Sequence, residues 1–235
     1  MFKKMLAVAM LIHVPLSFAM GGLASPNLSS SDFELSSHKG VLTGITGPMA
    51  SGKTLALLLF IDRFGYQKKS TLICKNALDS RSNIYLKSRM GFEIDIPAQL
   101  IKEPDEILDL AKKDKYDAVV IDETQFFSDD SMTPVVQKLI DLEISVVFSG
   151  LDKDFRGLPF GYREKVPSCM PSLLAMADVV HKYAAVCHCG KDATMTQRLV
   201  SGRPAHRGDP LVIVDGTAKE VTYEPRCRNC FELLD

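Results

Sequence analysis

The sequence carries almost no net charge: 28 lysines and arginines oppose 29 aspartates and glutamates, leaving −1. The two signs are mixed along the chain. There is no basic stripe of the kind that neutralises a nucleic-acid backbone, and no acidic tail of the kind that stays disordered. There is no internal repeat, so repeat architectures are excluded as well. A comfortable membrane span is also lacking, because the apolar run Met5–Ile12 is short and is followed by His13 and Pro15. Lys3 and Lys4 precede that run, and small residues around Ala19 and Ala24 follow it, which resembles a secretory signal peptide. The alternative is a dispensable extension, or residues upstream of a start at Met20. With 46% hydrophobic residues, 235 positions suffice for one sizeable core or a core plus a small appendage.

NLSSSDFELSSHKG (27–40) is serine-rich and polar and reads as a linker. From Val41 strand and helix patterns alternate. VLTGIT predicts a short strand closed by Gly47-Pro48, and KTLALLLFIDRF, apolar nearly all round, predicts a buried helix ended by Gly65. STLIC, DAVVID and ISVVFSGL predict buried strands; PDEILDLAKKD and DDSMTPVVQKLIDL predict helices, the first with acids at its start and lysines in its last turn. Continuous Val/Ile runs separated by helices argue for an α/β fold with a parallel sheet covered on both faces. After about Val180 the helical period fades, and short strand-like pieces (ATMTQRLV, PLVIVDG, KEVTYE) lie between two cysteine clusters. The expected organisation is an extension and linker over 1–40, a phosphate-loop domain over 41–179 and a small β unit over 180–235. That last unit is too small for a core alone to stabilise.

GPMASGKT fits the G-x-x-x-x-G-K-[ST] pattern, after a predicted strand and opening a predicted helix. It begins with Gly47 and Pro48, passes through Met49, Ala50 and Ser51, and closes on Gly52 before Lys53 and Thr54. A loop of this spacing wraps phosphates with backbone N–H groups, to which the helix start adds positive potential. Lys53 can reach the β- and γ-phosphates, and the Thr54 hydroxyl can ligate Mg²⁺. Asp122, ending DAVVID at the carboxyl edge of the sheet, is the expected second magnesium ligand. Glu123 follows it directly. A second carboxylate there can activate water, which makes an ATPase, or take a proton from a substrate hydroxyl, which makes a kinase.

The last four of six cysteines form two close pairs, Cys187 with Cys189 and Cys227 with Cys230. The second has the spacing of a zinc knuckle; the first is one residue short, and His188 could replace a ligand. Four thiols in a β-rich unit favour structural Zn²⁺ over a redox dithiol or a disulfide framework. Cys74 reads as a core residue.

The phosphate loop with methionine after Gly-Pro, IDETQFF, LDKDFRGLPFG, TQRLVSGRP and the closing YEPRCRNC together resemble the small, zinc-containing class of thymidine kinase, in the family's order from Val41 to Cys230. The resemblance implies transfer of the γ-phosphoryl of ATP to the 5′-hydroxyl of thymidine (deoxyuridine is a second candidate), for dTMP salvage toward DNA synthesis. It also implies Mg²⁺, a structural zinc, a homotetramer, and no nucleic-acid or membrane partner. By the same resemblance, Asp122, Glu123, Thr124 and Gln125 join the loop in holding nucleotide, with Glu123 as catalytic base. DSR (79–81) matches a further segment near the phosphates. Met49, Phe126, Leu151, Phe155 and Phe160 match the wall around the base, while Phe127 reads as core. Thr196, the run Leu211, Val212, Ile213, Val214 and Asp215, and Tyr223 match positions of a lasso loop that holds thymine largely through its backbone. Ala50 departs from the bulky residue often found there, and CHCG from the longer first cysteine pair. Because an ATP-dependent kinase and reduced thiols suit a reducing compartment, the expected location is the cytoplasm despite the signal-like N-terminus. Two other classes compete: an ATPase with the cysteine unit as a contact module, and a nucleotide-regulated redox sensor.

Overall fold

The apolar runs become the parallel strands of one sheet. In this computed structural model the described residues are 40–78, 85–86 (backbone only), 96–211 and 221–235. The elements are β1 (Leu42–Thr46), α1 (Lys53–Tyr66), β2 (Thr71–Asn76), a short pair β3 (Tyr85–Leu86) and β4 (Ile96–Pro97), β5 (Gln99–Ile101), α2 (Asp105–Asp114), β6 (Ala118–Asp122), α3 (Asp129–Asp141) and β7 (Ser145–Gly150). Then follow α4 (Met170–Met176), β8 (Val179–Lys182), β9 (Ala185–Val186), β10 (Asp192–Ala193), β11 (Met195–Val200), β12 (Arg203–Pro204) and β13 (Val221–Arg226).

Six strands form a sheet in the order β5-β2-β6-β7-β1-β8, every neighbour parallel. β1 and β6 are buried at all five positions, which is why they read as continuous apolar runs rather than as alternation. Side chains still alternate between the two faces. Leu42, Leu72, Cys74, Val119, Ile121, Val146 and Phe148 join Ile107, Val136, Leu139 and Leu173 of α2, α3 and α4 in one core cluster. On the other face α1 lies against β1, β6 and β7, burying Ala56, Leu57, Phe60 and Phe64.

Gly65 does not end α1. The helix runs on to Tyr66, and Lys68 takes the left-handed conformation instead, with its N–H bonded to the Gly65 carbonyl. α3 begins with Asp129 and Asp130, which suit the positive end of the helix. Asp129 also accepts from Thr133 Oγ1 at 2.6 Å and from Ser172 Oγ at 2.8 Å, joining α3 to α4.

Beyond the sheet, β9 and β10 make a two-stranded hairpin, and β11 is central to an antiparallel sheet β12-β11-β13. Among the described residues no helix is long and apolar enough to cross a membrane. Residues 1–39 are outside the description, and with them almost all of the expected extension and linker.

Candidate active site

Strands that all run the same way end together, so the loops after β1, β6 and β7 gather at one edge. The phosphate loop leaves β1 at Gly47, with φ 146°, where an added Cβ would strike the Tyr183 carbonyl. Only a residue without a Cβ can combine that backbone with so close an approach. Gly52 caps α1 at φ 84°, and Ala50 is also left-handed at φ 61°. Lys53 Nζ donates to the Pro48 carbonyl at 2.7 Å, across the loop. The Ser51 hydroxyl is buried with no hydrogen-bond partner among the described residues. An orphaned hydroxyl in a loop of phosphate-binding spacing is what an anion would complete.

Asp122 ends β6 only 6% exposed. Burial, reinforced by the Glu123 carboxylate beside it, pushes its pKa up to about 7. A cation at this place would reverse that shift. Glu123 turns the chain with φ 53°, an uncommon conformation for a residue with a side chain. Gln125 Nε2 donates to Glu123 Oε2, and its Oε1 accepts from the Leu151 N–H at 3.2 Å. The Gln125 carbonyl in turn accepts from Ser168 Oγ at 2.9 Å. Gln125 is thus a buried strut between the carboxylate and the end of β7. Thr124 is fully buried, its hydroxyl bonded to the Ile121 carbonyl at 3.2 Å. Both were expected at the nucleotide; both side chains are engaged with protein.

Phe126 meets Phe160 edge to face, centroids 6.1 Å apart and planes at 89°. Phe127 lies in the main core, as expected. Phe155 is turned inward by its loop: Asp154, 1% exposed, accepts from the backbone N–H, Nε and Nη2 of Arg156 at 2.6–2.8 Å. Burial works against the charge of Asp152, but Lys153 and Lys182 at 2.8 and 2.7 Å outweigh it and hold its pKa below the ordinary carboxylate value. The β11 strand reaches the phosphate loop, for Thr196 Oγ1 accepts from the Met49 N–H at 3.1 Å.

Arg198 was not singled out from the sequence. It is 2% exposed on β11, and it donates to Tyr223 Oη at 3.0 Å, to the Pro210 carbonyl at 2.6 Å and to the Leu211 carbonyl. Val212, Ile213, Val214 and Asp215 lie outside the described residues, as does the DSR segment.

The four cysteine sulfurs converge. Cys187, Cys189, Cys227 and Cys230 place all Sγ atoms within 4.8 Å of one another, a set that can hold a metal ion. The short first arm works because the hairpin turn after Cys187 closes on left-handed Gly190 (φ 82°), whose N–H donates to the Cys187 carbonyl at 2.8 Å. His188 is exposed and outside the set.

Residues 40–231 match the family model described as "Thymidine kinase". A thymidine kinase of Coprothermobacter proteolyticus is 43% identical over 197 residues, covering 83% of this chain and 91% of that protein. One of Mycoplasma capricolum subsp. capricolum is 40% identical over 202 residues, covering 83% and 90%. One of Mycoplasma genitalium is 44% identical over 191 residues, covering 81% and 82%.

Proposed function

This chain belongs to the thymidine kinase family, and on that premise we propose that it moves the γ-phosphoryl group of ATP to the 5′-hydroxyl of thymidine. Deoxyuridine would be a second substrate, because one methyl group gives a pocket only about 1–3 kcal/mol of discrimination. The observation that carries the reading is the Gln125 strut, which links Glu123, one residue from the magnesium carboxylate, to Leu151 in the wall expected around the base. An ATPase needs no such link between its carboxylate and an aromatic wall.

In the reaction the 5′-oxygen bonds to the γ-phosphorus, the bond to ADP breaks, and the hydroxyl proton passes to Glu123. Phosphoryl transfer is loose, so much of the carboxylate's benefit is orientation of the hydroxyl. Lys53 and the loop N–H groups hold the phosphates. Thr54 and Asp122 would hold Mg²⁺, which when bound neutralises phosphate charge; hard oxygen donors at a buried carboxyl fit that ion. The cysteine set fits zinc: tetrahedral arms of about 2.3 Å give sulfur separations of about 3.8 Å, and Cys189 and Cys227 are 3.7 Å apart. Residues 41–179 would bind ATP, and 180–235 would carry zinc and close on thymine. A cytoplasmic homotetramer is the corresponding cellular form.

The test is to measure thymidine phosphorylation and thymidine-independent ATP hydrolysis side by side in wild type and Glu123→Gln. Transfer that depends on thymidine and collapses in the variant, with ATP binding retained, is expected. Brisk wild-type hydrolysis that ignores thymidine would hand Glu123 to the ATPase reading.

A further inference from the structure

Arg198 is among the largest fully buried side chains of the protein, yet among the described residues no carboxylate lies in ion-pair contact with its guanidinium. Asp154 and Asp209 contribute attraction from nearby, but Asp154 is already engaged by Arg156. The acceptors of Arg198 are neutral: the Tyr223 hydroxyl and the carbonyls of Pro210 and Leu211. Its flat face lies on the Phe155 ring, Cζ 3.8 Å from the centroid. Burying a guanidinium on neutral groups is costly, so folding stability alone does not account for it. A planar fork can instead fix several partners in one geometry, which a lysine cannot do.

Those partners come from three separate places: the loop after β7, the end of the stretch leading to Leu211, and β13. Arg198 and Tyr223 are cross-strand partners, and Arg198 is two residues from Thr196 on the same face of β11. That face therefore carries Arg198 to Phe155, Leu211 and Tyr223, and Thr196 to the phosphate loop.

We propose that Arg198 is the positioning residue of the nucleoside-base site, setting Phe155, Leu211 and Tyr223 at a fixed spacing from one another and, through β11, from the phosphate loop. The inference rests on the reading of those three residues as base contacts given above. Arg198 need not touch the substrate. Its removal should loosen the grip on the base and leave the grip on ATP intact.

Full-length, zinc-replete Arg198→Lys tests this. Losing charge-assisted bonds to several acceptors should raise the thymidine KM by about ten- to a hundredfold, with the ATP KM and zinc content unchanged. Tyr223→Phe, which removes one acceptor and keeps the ring, should raise the same KM by a smaller factor. An unchanged thymidine KM in Arg198→Lys overturns the proposal, and so does a parallel rise in both KM values together with zinc loss, which marks a merely structural residue. A second readout does not depend on turnover. Lys219 stands in the sequence between the two anchored ends, and tryptic cleavage there should be faster in Arg198→Lys while the rest of the chain resists. Equal cleavage rates overturn the proposal. A wild type that fails to phosphorylate thymidine defeats the preceding reading, and the cleavage comparison then decides the role of Arg198 by itself.

Discussion

The parallel sheet and the cysteine-bearing end of the chain hold together by different means. One face of the sheet carries a large apolar cluster shared with three helices, and the other is covered by the buried side chains of α1. The β9–β10 hairpin has a core of Ala185, Cys187, Ala193 and Cys227, with Cys230 against it. Beside it the antiparallel sheet buries Gln197 and Arg198, and Gln197 fastens the C-terminal stretch by exchanging hydrogen bonds of 2.8 and 2.9 Å with Glu232. A unit with so little apolar interior depends on a few strong, specific bonds. On the proposed reading, chemistry sits on the broad scaffold, and the economical unit closes the base site. Damage to the first should appear mainly in turnover or global stability, and damage to the second in substrate affinity.

Stripping the metal should be the most destructive way to break that division. Structural zinc contributes about 10–16 kcal/mol in finger-sized units, more than the hairpin core can replace. Chelation, or Cys227→Ser, should abolish thymidine-dependent turnover, and metal analysis of active protein should find about one zinc per chain. Active, well-folded protein without zinc would refute this. Next comes Glu123→Gln, which should lower kcat by about two to four decades, the usual loss for an acid–base group. Its melting temperature should stay near that of wild type, because the change is at the site and not in the core.

Leu139→Ala attacks the other side of the comparison. Leu139 is fully buried in α3, and truncation there should cost about 2–5 kcal/mol of stability. Denaturant titration should register that loss while both KM values hold. Thr196→Val breaks the bond that Thr196 Oγ1 accepts from the Met49 N–H of the phosphate loop and should cost about 0.5–1.5 kcal/mol, read as a several-fold rise in thymidine KM. The smallest effect should come from starting the chain near Ser31. None of the nucleotide or base motifs precedes that point, so kinetic constants should match those of the full chain. A folded but inactive truncation would give the N-terminal residues a role.

The two regions were also unequally legible in the sequence. Val119–Ile121 and Val146–Phe148 announce buried parallel strands because both faces are covered, and the phosphate loop announces itself by spacing. The cysteine set was legible from pairing alone, even with one arm short. Less legible were the partners of polar side chains. Gln125 reads as a ligand contact, and only the fold reveals that Glu123 and Leu151, far apart in sequence, meet on either side of it. Arg198 in TQRLV carries no motif of its own, so the sequence does not single it out. The available signal was alternation: the residue two places from a proposed contact, Thr196, shares its face. Gly65 reads as a helix stop because glycine is so often one, but the left-handed turn comes three residues later, at Lys68.

The position of β1 has a consequence for how the chain is made. It lies between β7 and β8, and its bonds reach far along the chain: Thr46 to Gly150, 104 residues on, and Leu42 to Asp178, 136 residues on. The first described strand to leave the ribosome therefore waits for its neighbours. At about 5–20 residues per second, that interval is several seconds to tens of seconds. Through that time β1, from which the phosphate loop leaves, has no neighbouring strand to fix it. Nucleotide cannot assist the early steps of folding, and the nascent sheet edge is exposed to other chains until β7 arrives.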